Sequence, residues 1–270
     1  MFKKTIIAAG LGLVISSAAQ AEYQWELGAF SATGDIDVGQ YSADHDLFGL
    51  GGAYYFNKVD TSKGPLAEAA FLDRASNIGL ILATGEVDGD NEDFDVDSYA
   101  AGSRIVIGEG GWLVDLGAGR DEIENQDEDT FSIGGGKYVL ENTAVVLGYT
   151  NVDSDIDGES DEYDLGVEHL WLFDQGALKL DGNIGRIDLD EGDDVDVWGL
   201  DTTYYVTDRL GFGAGYGQED SDDTDLESWS LFAQWFVTEK VALALGYTNE
   251  QENDIDYEAD AIMFTADVRF

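Results

Sequence analysis

Residues 261–270, "AIMFTADVRF", alternate in character with a period of two. One parity is apolar throughout and consists of Ile262, Phe264, Ala266, Val268 and Phe270. The other parity carries Thr265, Asp267 and Arg269 towards its end. This period predicts a β-strand with one apolar and one polar face. A soluble protein usually leaves its last residues polar and loose, so a terminal aromatic indicates an apolar medium on that face.

The same kind of strand recurs along the chain in pairs. Each pair has a rising strand, a connection rich in Asp and Glu, and a returning strand that ends in a short turn. The rising strands are predicted to begin near Tyr23, Leu66, Trp112, Thr143, Ala177, Leu210 and Val241. With their returning partners they give fourteen strands, and twelve or sixteen are the alternatives. Each strand is about the length that crosses a membrane at a tilt.

The connections are of two kinds. One set is short, as in "ENT", "TDR" and "TEK", and the other is long and acidic, as in "NVDSDIDGESDE" and "QEDSDDTD". Short turns at one end and long loops at the other are typical of a transmembrane antiparallel up-and-down β-barrel. The alternative is a soluble β-sandwich with one buried face per strand. Its turns would not sort by side and its edge strands would need protection, so the barrel is favoured.

One stretch does not fit the alternation. In "LAEAAFLDRASNIGLILATG", residues 66–85, the parity of Glu68 and Arg74 does not continue through Ile78. We therefore expect a bulge or a partly periplasmic segment at this point of the chain.

The beginning of the chain and its charge limit the compartment and the partners. Residues 1–21 combine Lys3 and Lys4, a short apolar centre and a final "AQA", which predicts a secretory signal peptide followed by a barrel domain over 22–270. The formal net charge of −44 disfavours nucleic acid as a partner. Cysteine is absent, so no disulfide framework is expected. After residue 21 no apolar run approaches the roughly 20 residues of a membrane helix.

These features together resemble a Gram-negative outer-membrane porin. The resemblance rests on the signal segment, the hairpin repeat and the ending "IMFTADVRF", while "KGPLAEAAFLDRAS", residues 63–76, resembles a motif of porins of marine gammaproteobacteria. It implies an outer-membrane location and a final strand whose Phe270 is read by the barrel assembly machinery. It assigns no solute, and it leaves the oligomeric state open.

Parity also selects candidate pore-lining side chains, most of them acidic. They are Glu26, Glu68, Arg74, Asp115, Glu168, Lys179, Asp181, Asp201, Asp267 and Arg269. Carboxylates around a pore favour cations. We therefore expect a modest, water-filled, cation-selective channel for passive diffusion of ions and small solutes. The alternative is a non-conducting barrel whose acidic loops bind divalent cations, lipopolysaccharide or a partner.

Two further patterns concern the acidic segments. Arg120 and Arg186 fall on the outward parity, where they would contact lipopolysaccharide phosphates or simply reach the membrane interface. "DSDIDGESDEYD" has the spacing of a calcium loop, with candidate ligands Asp153, Asp155, Asp157, Asp161 and Asp164. Predicted strands flank this loop where a calcium-binding hand requires helices. No cofactor is required by the sequence, and Ca²⁺ or Mg²⁺ at these segments is the candidate ion.

An enzyme is disfavoured. The two histidines are His45, between two aspartates, and His169, on the outward parity. Neighbouring strand residues point to opposite faces, so the Asp–His–Asp order does not itself assemble a catalytic pair. The sequence shows no activated-serine motif that would supply a nucleophile.

Overall fold

The structure is a computed structural model that describes residues 22–89, 93–108, 110–123, 126–155, 158–189, 192, 194–221, 225–252 and 256–270. The predicted signal peptide, residues 1–21, lies outside these ranges.

Fourteen antiparallel strands close into one barrel, in which each strand pairs with its neighbours along the chain and β1 pairs with β14. The strands are β1 (Tyr23–Val38), β2 (Tyr41–Val59), β3 (Asn77–Gly89), β4 (Asp93–Ile107), β5 (Trp112–Ile123), β6 (Gln126–Leu140), β7 (Thr143–Ser154), β8 (Gly158–Leu172), β9 (Ala177–Leu189), β10 (Val195–Thr207), β11 (Leu210–Asp220), β12 (Asp225–Thr238), β13 (Val241–Glu252) and β14 (Tyr257–Arg269). The predicted fold class and strand number are confirmed. Six of the seven predicted rising strands begin at the predicted residue.

The alternation separates an outer face from a lumen. On β1, the odd-numbered Trp25 and Leu27 are about half exposed, whereas the even-numbered Glu26 and Phe30 are buried. The outer face of the other strands likewise carries large exposed apolar side chains, among them Phe48, Leu50, Leu80, Leu147, Ile184, Leu200, Phe212, Leu231, Leu245 and Phe264. This continuous apolar outer surface matches the lipid-facing band of a membrane barrel.

The rising strand predicted near Leu66, the second of the seven, is wrong at its start. The chain over 66–72 is not a strand but a 3₁₀ turn (Leu66–Glu68) followed by one α-helical turn, α1 (Ala69–Leu72), and β3 begins at Asn77. We call residues 60–76 the plug. They fold into the barrel at the end where the short turns lie and where β1 begins and β14 ends. No helix in the described ranges is long and apolar enough to cross a membrane.

The plug is held by an apolar core that crosses the base of the barrel. Its Leu66, Ala69 and Phe71 are buried against inward side chains of ten strands. Those side chains include Tyr23, Tyr55, Leu113, Tyr138, Ala144, Leu170, Ala177, Tyr205, Phe236 and Ala242. Three of these aromatics, Tyr138, Tyr205 and Phe236, lie where the pairing register shifts just before a short turn. A bulge at that position re-aims the local side chains, and here it accompanies an aromatic that packs on the plug.

The acidic connections are shorter than predicted. Most of the residues assigned to long loops continue the strands, so that β7 runs to Ser154 and β8 starts at Gly158. Their inward positions include apolar residues that form a second cluster at this acidic end, made by Ile36, Val87, Leu226 and Tyr257. Ladder hydrogen bonds and this inward cluster outweigh the low strand propensity of Asp.

Candidate functional site: the charged lumen

The first inward ion-pair group joins β4, β5 and β8. The guanidinium of Arg104 donates to both carboxylate oxygens of Asp115, from Nε and Nη2 at 2.9 Å each. Its Nη1 lies 2.8 Å from Glu168 Oε1. A bidentate pair of this kind fixes the orientation of all three side chains. Asp115 and Glu168 were predicted to line the lumen; Arg104 was not, although its place in the alternation of β4 could have revealed it.

The second group fastens the plug to the lumen wall. Glu68 is 3 % exposed and accepts a hydrogen bond of 2.5 Å from the hydroxyl of Tyr205. Lys179 lies 3.3 Å from Glu68 and 3.3 Å from Asp181, so one ammonium serves two carboxylates. Because removing one partner of a buried ion pair leaves an uncompensated charge, this group opposes withdrawal of the plug.

The third group closes the seam between the first and last strands. Arg269 Nη2 lies 2.9 Å from Glu26 Oε2, and the two residues are directly opposite in the β1–β14 register. The hydroxyl of Tyr55 donates to Glu26 at 3.4 Å, and the Arg269 guanidinium carbon lies 4.5 Å from the ring centre of Tyr23. The last strand thus closes the barrel against the strand that begins at Tyr23.

Two predicted lumen carboxylates have no such partner. Neither Asp201 nor Asp267 forms a hydrogen bond or ion pair with a side chain of the described ranges. In all, the seven carboxylates that were predicted to line the lumen and three cations lie on the lumen wall and the buried face of the plug. They are Glu26, Glu68, Asp115, Glu168, Asp181, Asp201 and Asp267, with Arg104, Lys179 and Arg269. The excess charge of this set is negative.

The lumen contains two cavities, of about 500 Å³ and about 420 Å³. Glu68 and Lys179 border both of them. The larger cavity also contacts Asp201 and Glu250, and the smaller contacts Arg104, Asp267 and Arg269. The plug and its ion pairs thus lie between two chambers rather than beside one open pore.

Arg74 lies at the base of the plug and not on the lumen wall. Its Nη2 donates to the backbone carbonyls of Leu140 and Glu141, at 3.2 and 3.3 Å, and its guanidinium carbon is 4.7 Å from the ring centre of Tyr138. Its backbone is left-handed, with φ of 51°. Arg74 therefore ties the end of the plug to the turn between β6 and β7.

The loop that leads into the plug is also tied down. Lys63 Nζ lies 2.5 Å from Asp73 Oδ1, and the backbone N–H of Asp60 donates to Asp73 Oδ2 at 3.0 Å. The backbone N–H and the hydroxyl of Ser62 both donate to the Asp60 carboxylate, which lowers the pKa of Asp60 because they stabilise its charged form.

Arg120 and Arg186 lie on the outer face near the acidic end, and each is surrounded by three carboxylates. Arg120 pairs with Glu122, Asp127 and Asp129. Arg186 pairs in the same pattern with Asp188, Asp194 and Asp196. Each arginine is thus neutralised by its own surface, which leaves little positive charge for a lipopolysaccharide phosphate.

The calcium-loop spacing is not assembled into a metal centre in the described part of the chain. Asp153 and Asp161 face outward, Asp164 faces the lumen and Asp155 lies in the turn after β7, while Asp157 lies outside the described residues. Asp161 instead accepts hydrogen bonds from Tyr149 and Asn151, at 2.7 and 3.0 Å. Among described residues, no three His, Cys, Asp or Glu side chains are grouped to hold a metal ion.

The histidines lie far apart in the fold. His45 points into the lumen and is 7 % exposed, and within the described ranges its Nδ1 has no hydrogen-bond partner. His169 lies on the outer face, with Nδ1 2.7 Å from the hydroxyl of Thr143 and its ring against Trp171. In the part of the chain that the structure describes, neither histidine forms a hydrogen bond to a serine that would activate a nucleophile.

Comparison with known proteins supplies the family. The profile of the family described as "Putative general bacterial porin" matches residues 2–172. The crystal structure of the outer membrane protein Omp33 of Acinetobacter baumannii matches with a TM-score of 0.68 at 24 % identity, over 93 % of this chain and 100 % of that chain. A bacterial polysaccharide outer membrane secretin matches with a TM-score of 0.53 at 10 % identity, over 93 % of this chain and 99 % of that one. No curated protein sequence matches. The structural similarities support the fold, and the family profile covers more than half of the chain.

Proposed function

Since this chain belongs to the general bacterial porin family, we propose that its lumen is a cation-preferring path for small solutes, narrowed by the plug. The protein is an outer-membrane channel protein. The outer apolar band faces lipid, and the short-turn end faces the periplasm in barrels of this kind. The plug therefore lies at the periplasmic end, and the acidic end faces outward.

The observation that carries the cation preference is the unequal charge of the lumen. Arg104, Lys179 and Arg269 are each already paired with a carboxylate. Within the described part of the chain, Asp201 and Asp267 form no ion pair with any of these cations, so their carboxylates remain to act on a passing ion. Rings of carboxylates in a pore favour cations, and low-dielectric walls strengthen the effect.

The acidic end adds to this preference by concentrating cations at the entrance. Most of the 57 acidic residues of the chain belong to the segments at this end, and the whole chain has only 13 basic residues. Exposed charges act over a screening length of about 10 Å at 0.1 M salt. The entrance therefore raises the local concentration of cations, and this contribution weakens as salt is added.

The plug sets the size of the path. Its core crosses the barrel base, and the ion pairs of Glu68 with Lys179 hold it between the two cavities. We infer a small conductance while the plug is in place. Recording from the refolded protein in a planar lipid bilayer tests this: discrete current steps support a channel, and a folded barrel that carries no current contradicts it.

The position of the plug also favours a second candidate function, a non-conducting barrel whose acidic end binds divalent cations, lipopolysaccharide or a partner. The acidic end offers many carboxylates for Ca²⁺ or Mg²⁺ bridges to phosphates. Absence of current together with divalent-dependent binding of lipopolysaccharide would support this candidate instead.

The last residue, Phe270, concerns how the barrel is assembled in the outer membrane. Phe270 lies at the periplasmic end, is 56 % exposed and hydrogen-bonds to the backbone of Trp25 in both directions, at 2.9 and 3.2 Å. The terminal aromatic is thus accessible from outside the barrel, as recognition by the barrel assembly machinery requires. Removing Phe270 is expected to lower the yield of folded protein in the outer membrane, while refolding in detergent should remain efficient.

A further inference from the structure

Strand β11 has no side chain on the lumen side at four successive inward positions. These are Gly211, Gly213, Gly215 and Gly217. The neighbouring strands β10 and β12 lean their side chains over this strip of backbone, which we call the glycine trough. It forms part of the wall of the larger cavity, which contacts Gly215 and Gly217.

A carboxylate and a hydroxyl converge over the trough. A Cβ placed at Gly215 would lie 2.2 Å from Asp201 Oδ1 and 2.6 Å from Ser230 Oγ. The two side chains therefore occupy the space that any other residue at position 215 would fill. Asp201 and Ser230 lie on either side of Gly215 in register, so the trough brings them together.

An aromatic face lies one step along the trough. The ring of Phe232 covers Gly213, where a Cβ would lie 2.1 Å from its Cζ. Phe232, Asp201 and Ser230 all line the larger cavity. A carboxylate, a hydroxyl and an aromatic ring are the groups that recognise an organic ammonium ion.

The charges that line this cavity leave Asp201 available. The carboxylates that line the cavity are Glu68, Asp181, Asp201, Glu250 and Asp260, and Lys179 is the lysine among its lining residues. Lys179 is already engaged by Glu68 and Asp181. Glu250 accepts a hydrogen bond of 3.0 Å from the hydroxyl of Tyr257, and Asp260 accepts one of 3.1 Å from the hydroxyl of Tyr247. The carboxylate of Asp201 is thus the one of these five without a hydrogen bond or ion pair to a described side chain.

An independent feature of the same cavity also indicates a ligand. His45 lines it and is 7 % exposed, and its Nδ1 has no hydrogen-bond partner among the described residues. A buried polar atom without a partner costs free energy unless a ligand or water satisfies it. The cavity volume of about 500 Å³ lies within the range of small-molecule sites.

We propose that this chamber is a binding site for a small organic cation, with its ammonium on Asp201 and Ser230 and its apolar body against Phe232. The site deepens the proposed function, since it names a class of solute that the lumen would hold. Binding to the folded barrel does not require current. A channel that conducts without binding this cation, and a barrel that binds it without conducting, are therefore distinguishable outcomes.

The test is a fluorine NMR titration of the refolded full-length barrel in detergent, with 4-fluorobenzylammonium as the probe. The neutral 4-fluorobenzyl alcohol reports partition into detergent and apolar surface. Wild-type protein should bind the ammonium probe saturably. Its affinity for the alcohol should be at least about tenfold lower, because the alcohol lacks the charged contact. Equal affinity for both probes would overturn the proposal.

Two pairs of variants locate the site. Asp201→Asn should weaken binding by about tenfold or more. Asp93→Asn removes the same charge from an exposed outward position and should not change binding.

Gly215→Ala keeps every charge but displaces Asp201 and Ser230, so binding should also be lost. Gly135→Ala, whose Cβ meets nothing within 4 Å, is its control. Binding unchanged in folded Gly215→Ala, or weakened equally by Asp93→Asn, would show that general charge and not this site attracts the cation.

Discussion

Glu26 on the first strand and Arg269 on the last form an ion pair of 2.9 Å across the barrel seam, with 6 % and 3 % of their side chains exposed. The pair contacts Tyr23 and Tyr55, which belong to the apolar core that holds the plug. A barrel abolishes its edges only if the last strand finds the first in the correct register. This pair occupies one position of that register, and a slip by one residue would separate the two charges.

The seam pair should contribute measurably to stability. Arg269→Ala leaves Glu26 as a buried charge without its cation and should lower the free energy of unfolding by about 3–5 kcal/mol. Urea unfolding in lipid vesicles measures this. Lys58→Ala is the control, because Lys58 pairs with Glu22 in full solvent, and it should cost less than about 1 kcal/mol. Equal losses in both variants would show that the seam pair has no special role.

Withdrawal of the plug should be easier without Glu68. Glu68→Ala removes the contacts to Tyr205 and Lys179, so larger or more frequent current steps are expected in bilayer recordings. Glu239→Ala is the control, since it removes an exposed glutamate that pairs with Arg209 at a short turn. If Glu68→Ala and the wild type give the same currents, the plug does not limit the path.

The glycine trough should not accept a side chain under Phe232. A Cβ at Gly213 would overlap the ring, so Gly213→Ala should destabilise the barrel by about 1–3 kcal/mol, as other overpacking changes do. Gly135→Ala meets open space on the outer face and serves as the comparison in the same unfolding measurement. A Gly213→Ala barrel as stable as Gly135→Ala would mean that the ring moves aside at little cost.

Removing a lumen cation should strengthen the cation preference. Arg104→Gln leaves Asp115 and Glu168 without their shared guanidinium, so the ratio of cation to anion permeability should rise. Arg209→Gln, at an exposed short turn, should leave the ratio unchanged. A ratio that falls in Arg104→Gln would contradict the account of the lumen charge.

The sequence predicts the barrel far better than it predicts what fills it. Strand starts at Trp112, Thr143 and Val241 follow from the local alternation, because a period of two is visible within eight residues. The plug depends on contacts between distant parts of the chain. Glu68 and its hydrogen-bond partner Tyr205 are 137 residues apart, and no short-range pattern links them.

The acidic segments were assigned to loops for a comparable reason. Asp is rare in strands, so runs such as residues 151–162 resemble turns when read alone. In the fold, residues 151–154 pair across the hairpin with residues 158–161, as Asn151 does with Asp161, and the pairing extends both strands. The inward position of Arg104 could be found from parity, whereas its contact with Glu168 depends on the closed barrel. The convergence of Asp201 and Ser230 over Gly215 needs the register of three strands.

The most direct test of the central proposal is the reversal potential of the wild-type protein in a planar bilayer with unequal KCl on the two sides. A negatively charged lumen predicts the sign expected for K⁺ permeation, and a smaller magnitude at high salt because the charges are screened. The double variant Asp201→Asn with Asp267→Asn should shift the potential towards zero. A reversal potential of the opposite sign, which indicates preference for Cl⁻, would contradict the account.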